Sequence, residues 1–578
     1  MFVCTIILIN MGKINGKLNL LFYCLIVLLF VLLVYSRFIG LGWGLPYPMH
    51  PDERNMANAV QQLQCDPSTS LRTSFQNCFN PHFFAYGQVP LYLGYIIVYI
   101  LKFFDGDLKF PIGYEEAAIS LRIISAVASI INFIIIIKII KFITKKESFF
   151  LTLISGLIII FSPYAIQFAH FGTTESLLML FYSLIIYLSL QILERRTTES
   201  VVWLSLVSGL AVATKISATI FLIIPAIVLM SNVKDQRINF ISKLKTLFFI
   251  IVFLLCTLIF AIVFSPHNLI NFQDFSSSIN YESEVALGKS LVFYTRQFFN
   301  TQPFIFQFQK IFPYALGFPA FLMGLIGLIG ANWKDKKINL LRFAFLVYFI
   351  PSATIFAKWS RFMAPIFPII TVFAILLISK IKDQISKISE KLKVLRFGLG
   401  FALCALIFTM TIPGIAYLSV YQNPDVHFQA SDWIYKNIPN DSNILFETAN
   451  VVDIPITDQR SKIKDQKSIE KFYQTVSFNF YDLDISPELQ LDLKNEIEKA
   501  DYIFIPSRRI FANHPKQTYP VLNKYYEDLF SGKLGFEKVA EFESFPKIFQ
   551  WKFPDEGAEE TWTVFDHPVI RIYKKVKS

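Results

Sequence analysis

The chain has 578 residues, of which 54% are hydrophobic, 16% aromatic and only 17% charged, and its mean hydropathy is +0.48. Apolar runs of about eighteen residues or more recur along it, which excludes an ordinary water-soluble domain and implies a polytopic helical membrane protein. The net charge of +11 comes from cations lying between the apolar runs, with no aromatic-interleaved basic patch, which argues against a nucleic-acid partner.

In chain order, Lys13 and Lys17 precede an apolar stretch from Leu18 to Tyr35 that lacks a small-residue cleavage site, so a retained first span is expected. Spans are expected near residues 18–36, 117–140, 149–167, 175–192, 200–213, 216–231, 246–264, 312–331, 339–356, 366–380 and 397–419. A twelfth apolar stretch, "VPLYLGYIIVYILKFF" at 89–104, is of ambiguous length. The charge bias of the loops decides how to count it. With eleven spans and a cytoplasmic N-terminus, 22 Lys and Arg fall on the cytoplasmic side, whereas the short opposite loops carry Lys215, Lys358 and Arg361. Counting 89–104 as a full span would invert most of that asymmetry, so it is expected to be a juxtamembrane helix on or in the outer leaflet.

Three pieces then face outward: a first loop at 37–116, a middle loop at 265–311, and the tail. Two domains are expected, a membrane domain over residues 1–420 and an extracytoplasmic α/β domain over 421–578. In the tail, the helical patterns "PELQLDLKNEIEKA" and "YPVLNKYYEDLF" alternate with strand-like runs "SNILFET", "DYIFIPS", "FEKVAEF" and "VIRIYKK". Of the six cysteines, Cys65 and Cys78 share one polar loop. An extracytoplasmic setting would permit a disulfide between them, worth about 3 kcal/mol.

Ionisable residues gather where the spans emerge on the expected outer side. Asp52 and Glu53 open an amphipathic helix in the first loop, and Glu175 sits at the turn between the third and fourth spans. Arg122, Lys215, Lys358 and Arg361 come from other loops and span ends on that face. Such a set suits group transfer from a lipid phosphate: a carboxylate takes the proton of an acceptor hydroxyl while cations balance the departing phosphate. Local roles compete. Asp52 could cap the helix "ERNMANAVQQL" after Pro51, Glu53 and Glu175 could serve their helix dipoles, and the cations could snorkel to headgroups. His50 and His170 are weak candidates for a divalent metal, with no recognised ligand spacing.

The motifs "HPDE", "NPHFFAYGQVPLYLGY", "RIISA", "FSPYAIQFAHFGTTES", "GLAVATKISA", "FSPHNLINF" and "RFMAPIFP", in this order, resemble those of the membrane-embedded GT-C glycosyltransferases. The likeness is to family 39, the protein O-mannosyltransferase and aminoarabinose transferase group, and it extends over the first 420 residues. The resemblance implies transfer of a hexose such as mannose from a polyprenyl-phosphate carrier, dolichyl or undecaprenyl, to a hydroxyl of a protein, lipid or glycan. It places the enzyme in the plasma membrane, with its chemistry on the outer face. Asp52 matches the acidic residue taken as catalytic base, with Glu53 beside it. Glu175 matches an acidic position usually occupied by Asp, and Arg122, Lys215 and Arg361 match basic positions near the lipid phosphate. No cofactor is implied as essential. A transporter or lipid flippase is the rival from another class, and would require ionisable groups in mid-span or paired broken helices. An oligosaccharyltransferase-like enzyme keeps the fold and changes the acceptor.

Overall fold

The computed structural model describes residues 16–63, 79–106, 111–146, 148–231, 240–447, 453–456 and 471–576. Cys65 and Cys78 lie outside the described residues. Helical segments lie at the eleven expected positions, but not all of them read as membrane spans. Among the described residues, five helices are long and apolar enough to cross a membrane: Tyr114–Thr144, Glu175–Glu194, Leu244–Phe264, Ser360–Ser386 and Lys393–Gln422. Two bent pairs, Phe149–Ile160 with Pro163–His170 and Gln307–Ala315 with Phe318–Gly330, raise the number to seven. Tyr23–Phe38, Thr198–Thr214 and Ile216–Ser231 are shorter apolar helices. The chain is thus a multi-pass membrane protein.

The bend of 54° between Ile160 and Pro163 has an identifiable cause. Pro163 cannot donate to the Ile159 carbonyl, which keeps only a long bond from the Ser162 amide at 3.4 Å. The buried guanidinium of Arg37, at the end of the first helix, donates to the carbonyls of Ile159 and Ile160 at 3.3 and 3.1 Å and to Ser129 Oγ at 2.9 Å. Backbone freed inside an apolar bundle must find such a partner.

Close helix approach depends on glycine at a few crossings. At Gly414, in the helix Lys393–Gln422, a Cβ would lie 1.9 Å from the carbonyl oxygen of Phe161. At Gly209 it would meet Phe260 Cβ at 2.5 Å, where the lipid-exposed helix Phe240–Phe264 rests on Thr198–Thr214.

The stretch 89–104 is a helix, Val89–Asp105, closed by Gly106 with φ of 70°. Leu91, Gly94 and Val98 face inward, while Ile96, Ile100, Phe103 and Phe104 are exposed. Gly94 lets it approach Val60 and Leu121, and Lys102 pairs with Glu116 at 2.8 Å. It therefore packs one face on the first-loop helix Pro51–Gln62 and on Tyr114–Thr144, and turns an apolar face outward.

The tail holds a five-stranded mixed sheet of β1 (Asn443–Glu447), β2 (Gln474–Phe478), β3 (Tyr502–Ile505), β4 (Phe536–Phe542) and β7 (Ile570–Lys575), with a hairpin β5 (Lys547–Ile548) and β6 (Trp551–Lys552) beside it. Its order is β2-β1-β3-β7-β4. Strands β1, β2 and β3 run parallel, while β7 is antiparallel to both β3 and β4. Alternation along β3 sends Tyr502 and Phe504 to one apolar cluster, Ile503 and Ile505 to the other. The four strand-like runs form β1, β3, β4 and β7, and both helical patterns form helices, Pro487–Lys499 and Pro520–Phe530.

Replacing Gly414 with Ala is expected to destabilise the bundle by about 1–3 kcal/mol, because a methyl group cannot be placed against the Phe161 carbonyl without moving a helix. A thermal unfolding scan of the detergent-solubilised protein checks this, with a lowered Tm expected.

Candidate active site

His50, with extended backbone (φ −118°), caps the helix Pro51–Gln62: its Nδ1 accepts from the Glu53 amide at 3.4 Å, and Pro51 supplies the preset first residue. Capping therefore belongs to His50, and Asp52 is released from that local role. Burial, then the charges of Arg361 and Arg122, hold the His50 imidazole well below its ordinary titration range. Its ring lies 4.7 Å from that of Phe171 and 4.3 Å from that of Phe565.

Asp52 and Glu53 are neighbours with different surroundings. Glu53 is fully buried and forms a two-point pair with Arg122, at 2.9 Å from Nε and 2.6 Å from Nη2. The Gly172 amide donates to the same carboxylate at 2.7 Å. Arg122 Nη1 donates to the carbonyls of Leu41 and Trp43, each at 2.8 Å, and its guanidinium lies 4.6 Å from the Trp43 ring centre. Four of its five N–H groups are thus directed into the protein. Asp52, by contrast, is partly exposed at 20% and pairs through Oδ2 with Nη1 of Arg361. Arg361 also lies 4.8 Å from the Trp359 ring, and its Nε is buried with no hydrogen-bond partner.

The other expected residues fall into two groups. Lys215 ends the helix Thr198–Thr214 and places its ammonium 4.8 Å from the Tyr86 ring and 5.7 Å from the Phe362 ring, next in sequence to Arg361. Burial, then the carboxylates of Glu175 and Glu282, push the Tyr86 phenol well above its ordinary value. Glu175 is buried at the first position of its helix. Burial also raises the Glu282 carboxyl, against the opposing effect of Lys215. Lys358 turns away: it is buried, donates to the Phe356 carbonyl at 3.0 Å, and burial lowers its titration range. His170 directs its two ring nitrogens at the carbonyls of Ile166 and Ile39, at 2.8 and 2.7 Å. Among the described residues, no three His, Cys, Asp or Glu side chains converge as a metal site.

The tail contributes groups that sequence reasoning did not select. The segment 555–567, "DEGAEETWTVFDH", runs back from the sheet into the membrane domain. Trp562 packs against Tyr417 and Phe168, with ring centres 5.6 and 6.5 Å away. Asp566 accepts from the hydroxyls of Tyr417 at 3.1 Å and Tyr421 at 2.7 Å. Glu559 accepts from the Ser360 amide at 3.0 Å, which fixes the turn carrying Arg361. His567 lies between Asp566, at 2.5 Å, and Asp555, at 2.9 Å. Burial alone would lower its pKa, but the two aspartates hold it up to about 10. The legible signal was five carboxylates around a Trp and a Phe, too polar for a span and too acidic for a sheet strand.

Residues 108–268 match the family model described as dolichyl-phosphate-mannose-protein mannosyltransferase. No curated protein matches the chain. Similar solved structures include ArnT from Cupriavidus metallidurans bound to undecaprenyl phosphate, with 11% identity, 95% of this chain and 97% of that one covered, and a TM-score of 0.47. The archaeal oligosaccharyltransferase AglB from Archaeoglobus fulgidus, in complex with an inhibitory peptide and a dolichol-phosphate, gives 12% identity, 93% and 75% coverage, and 0.48. Arabinofuranosyltransferase AftD from Mycobacteria gives 11% identity, 99% and 42% coverage, and 0.39. The matched segment holds "RIISA", "FSPYAIQFAHFGTTES" and "GLAVATKISA", and agrees with the GT-C, family 39-like reading of these motifs and with glycosyl transfer rather than transport.

Two outcomes follow from this geometry. Arg122→Ala strands a buried carboxylate and is expected to cost about 3–5 kcal/mol, read as a large fall in Tm or loss of folded protein. The His567 pair acts with the opposite sign to an acid. Its folded pKa is raised from about 6.5, so its stabilisation is complete below that pH and fades as pH rises toward 10. The Tm difference between the wild type and His567→Gln is therefore expected to be constant below about pH 6.5 and to shrink above it.

Proposed function

We propose that the chain transfers a sugar with inversion from a polyprenyl-phosphate carrier to an acceptor hydroxyl, with Asp52 as the base. The observation carrying this reading is the Asp52–Arg361 pair: a partly exposed carboxylate and a cation with an unused buried donor, adjacent in space and drawn from distant segments.

In the resting site each neutralises the other. A diester phosphate competes for the guanidinium, because its oxygens match the planar fork of Arg. When Arg361 turns to the phosphate, aided by Lys215, the Asp52 oxygens are freed for the acceptor. The acceptor O–H proton then passes to Asp52 as its oxygen bonds to the anomeric carbon. The bond from that carbon to the phosphate oxygen breaks, and polyprenyl phosphate leaves as an anion stabilised by the two cations. Glu53 and Arg122 act as positioning residues that hold the first loop in place. Glu175 and Glu282, whose charges act on Tyr86, would orient the sugar or the acceptor.

The helix Val89–Asp105 supports this reading by walling the site on the side of its exposed apolar face, where an isoprenoid chain would lie. The donor sugar, with mannose one member of the class, enters from the outer leaflet of the plasma membrane. That topology has the N-terminus in the cytoplasm and the tail outside.

Asp52→Asn is expected to lower transfer at least about a hundredfold, the lower end of general-base catalysis, while Tm and expression stay unchanged. Transfer of radiolabelled sugar in membranes supplied with lipid-linked donor measures it, and full activity in the variant removes the assignment.

A further inference from the structure

Two cavities in the tail take no part in the chemistry above. The larger, about 880 Å³, opens beside the edge strand β4 and its neighbour β7, and the smaller, about 590 Å³, lies between the middle loop and the tail. Arg508 and Ala512 line both, so the two are separated by a single shared wall. Each falls in the size range of built ligand sites, roughly 300–1,000 Å³.

The larger cavity has the lining of a saccharide platform. Phe530 is 43% exposed, and its ring lies nearly parallel to that of buried Tyr573, 6.1 Å away at 25°. Arg571 is held beside them by Glu541 at 3.3 Å and Glu556 at 3.1 Å, and its Nη1 is buried with no hydrogen-bond partner. A sugar ring offers an apolar C–H face and a rim of hydroxyls, which suits an aromatic face flanked by forked donors and acceptors.

The smaller cavity continues in the same chemistry toward the site. The exposed side chains of Gln302 and Gln309 border it, and Glu559 and Glu560 form its inner wall. Glu559 divides its oxygens between the two sides. Oε1 accepts from Gln297 at 3.0 Å on the cavity side, and Oε2 accepts from the amide of Ser360, which precedes Arg361. One side chain therefore separates the cavity from the segment that meets Asp52.

We infer that the two cavities bind one glycan acceptor across the wall they share, its body against Phe530 and Arg571 and its leading end at Glu559, one side chain from the segment that carries Arg361. This rests on the glycosyltransferase reading and adds the acceptor class: an oligosaccharide rather than a peptide.

The test reads binding, so it stays separate from the assignment of the base. The full-length Asp52→Asn protein in nanodiscs is applied to an array of short linear oligosaccharides and to an array of Ser/Thr-containing peptides. Retention of an oligosaccharide, weakened about tenfold by Phe530→Ala and by Arg571→Ala with undecaprenyl phosphate binding intact, is the expected result; tenfold corresponds to about 1.4 kcal/mol. Should either variant misfold, the exposed double variant Gln302→Ala with Gln309→Ala is expected to weaken the same oligosaccharide. Retention of peptides alone, of no oligosaccharide, or of oligosaccharides equally by all folded variants overturns the inference.

Discussion

The buried pair of Glu53 with Arg122 is the constraint on which the site depends. Two charges removed from water are stable only when each is fully hydrogen-bonded, and here the carboxylate receives three donors while the guanidinium serves three groups. The pair joins the first-loop helix, the helix Tyr114–Thr144 and the turn at Gly172. Because successive helical residues point about 100° apart, fixing Glu53 inward sends Asp52 in another direction. The adjacent acids are thus divided between holding the loop and meeting Arg361.

Arg361 is held from the opposite side by the tail. Glu559 binds the amide before it, while Trp562, Asp566 and His567 seat the segment 555–567 against the helix Lys393–Gln422. Asp566, on one side of the imidazolium, also accepts from Tyr417, Tyr421 and Gln167, and Asp555 closes the other side. The tail is therefore built into the end of the bundle that carries Asp52 and Arg361. A passive appendage would not bury a tryptophan in the membrane domain's core.

The helices were legible because long apolar runs admit few other structures in a bilayer, and the tail strands because "DYIFIPS" and "VIRIYKK" combine short apolar runs with β-branched residues. Asp52 and Arg361 were legible as chemistry, since a carboxylate after "HP" and a cation in "RFMAPIFP" stand at the ends of apolar segments. Their pairing was not, because it joins segments far apart in sequence. The same reason hid Glu282 and the segment 555–567, whose partners lie in other elements. Arg122 illustrates the limit of local reading: the sequence shows a cation at a span end, and only the packing shows its donors turned toward Glu53 and two carbonyls. The strand Gln474–Phe478, mostly exposed at the sheet edge, carries too little apolar pattern to announce itself.

The central claim is that Arg361 exchanges Asp52 for the carrier phosphate. A cryo-EM structure of the full chain with undecaprenyl phosphate tests it most directly. The account predicts phosphate density against Arg361 and Lys215, with the Asp52–Arg361 pair opened and Glu53–Arg122 unchanged. Phosphate bound elsewhere with the Asp52–Arg361 pair intact would contradict it.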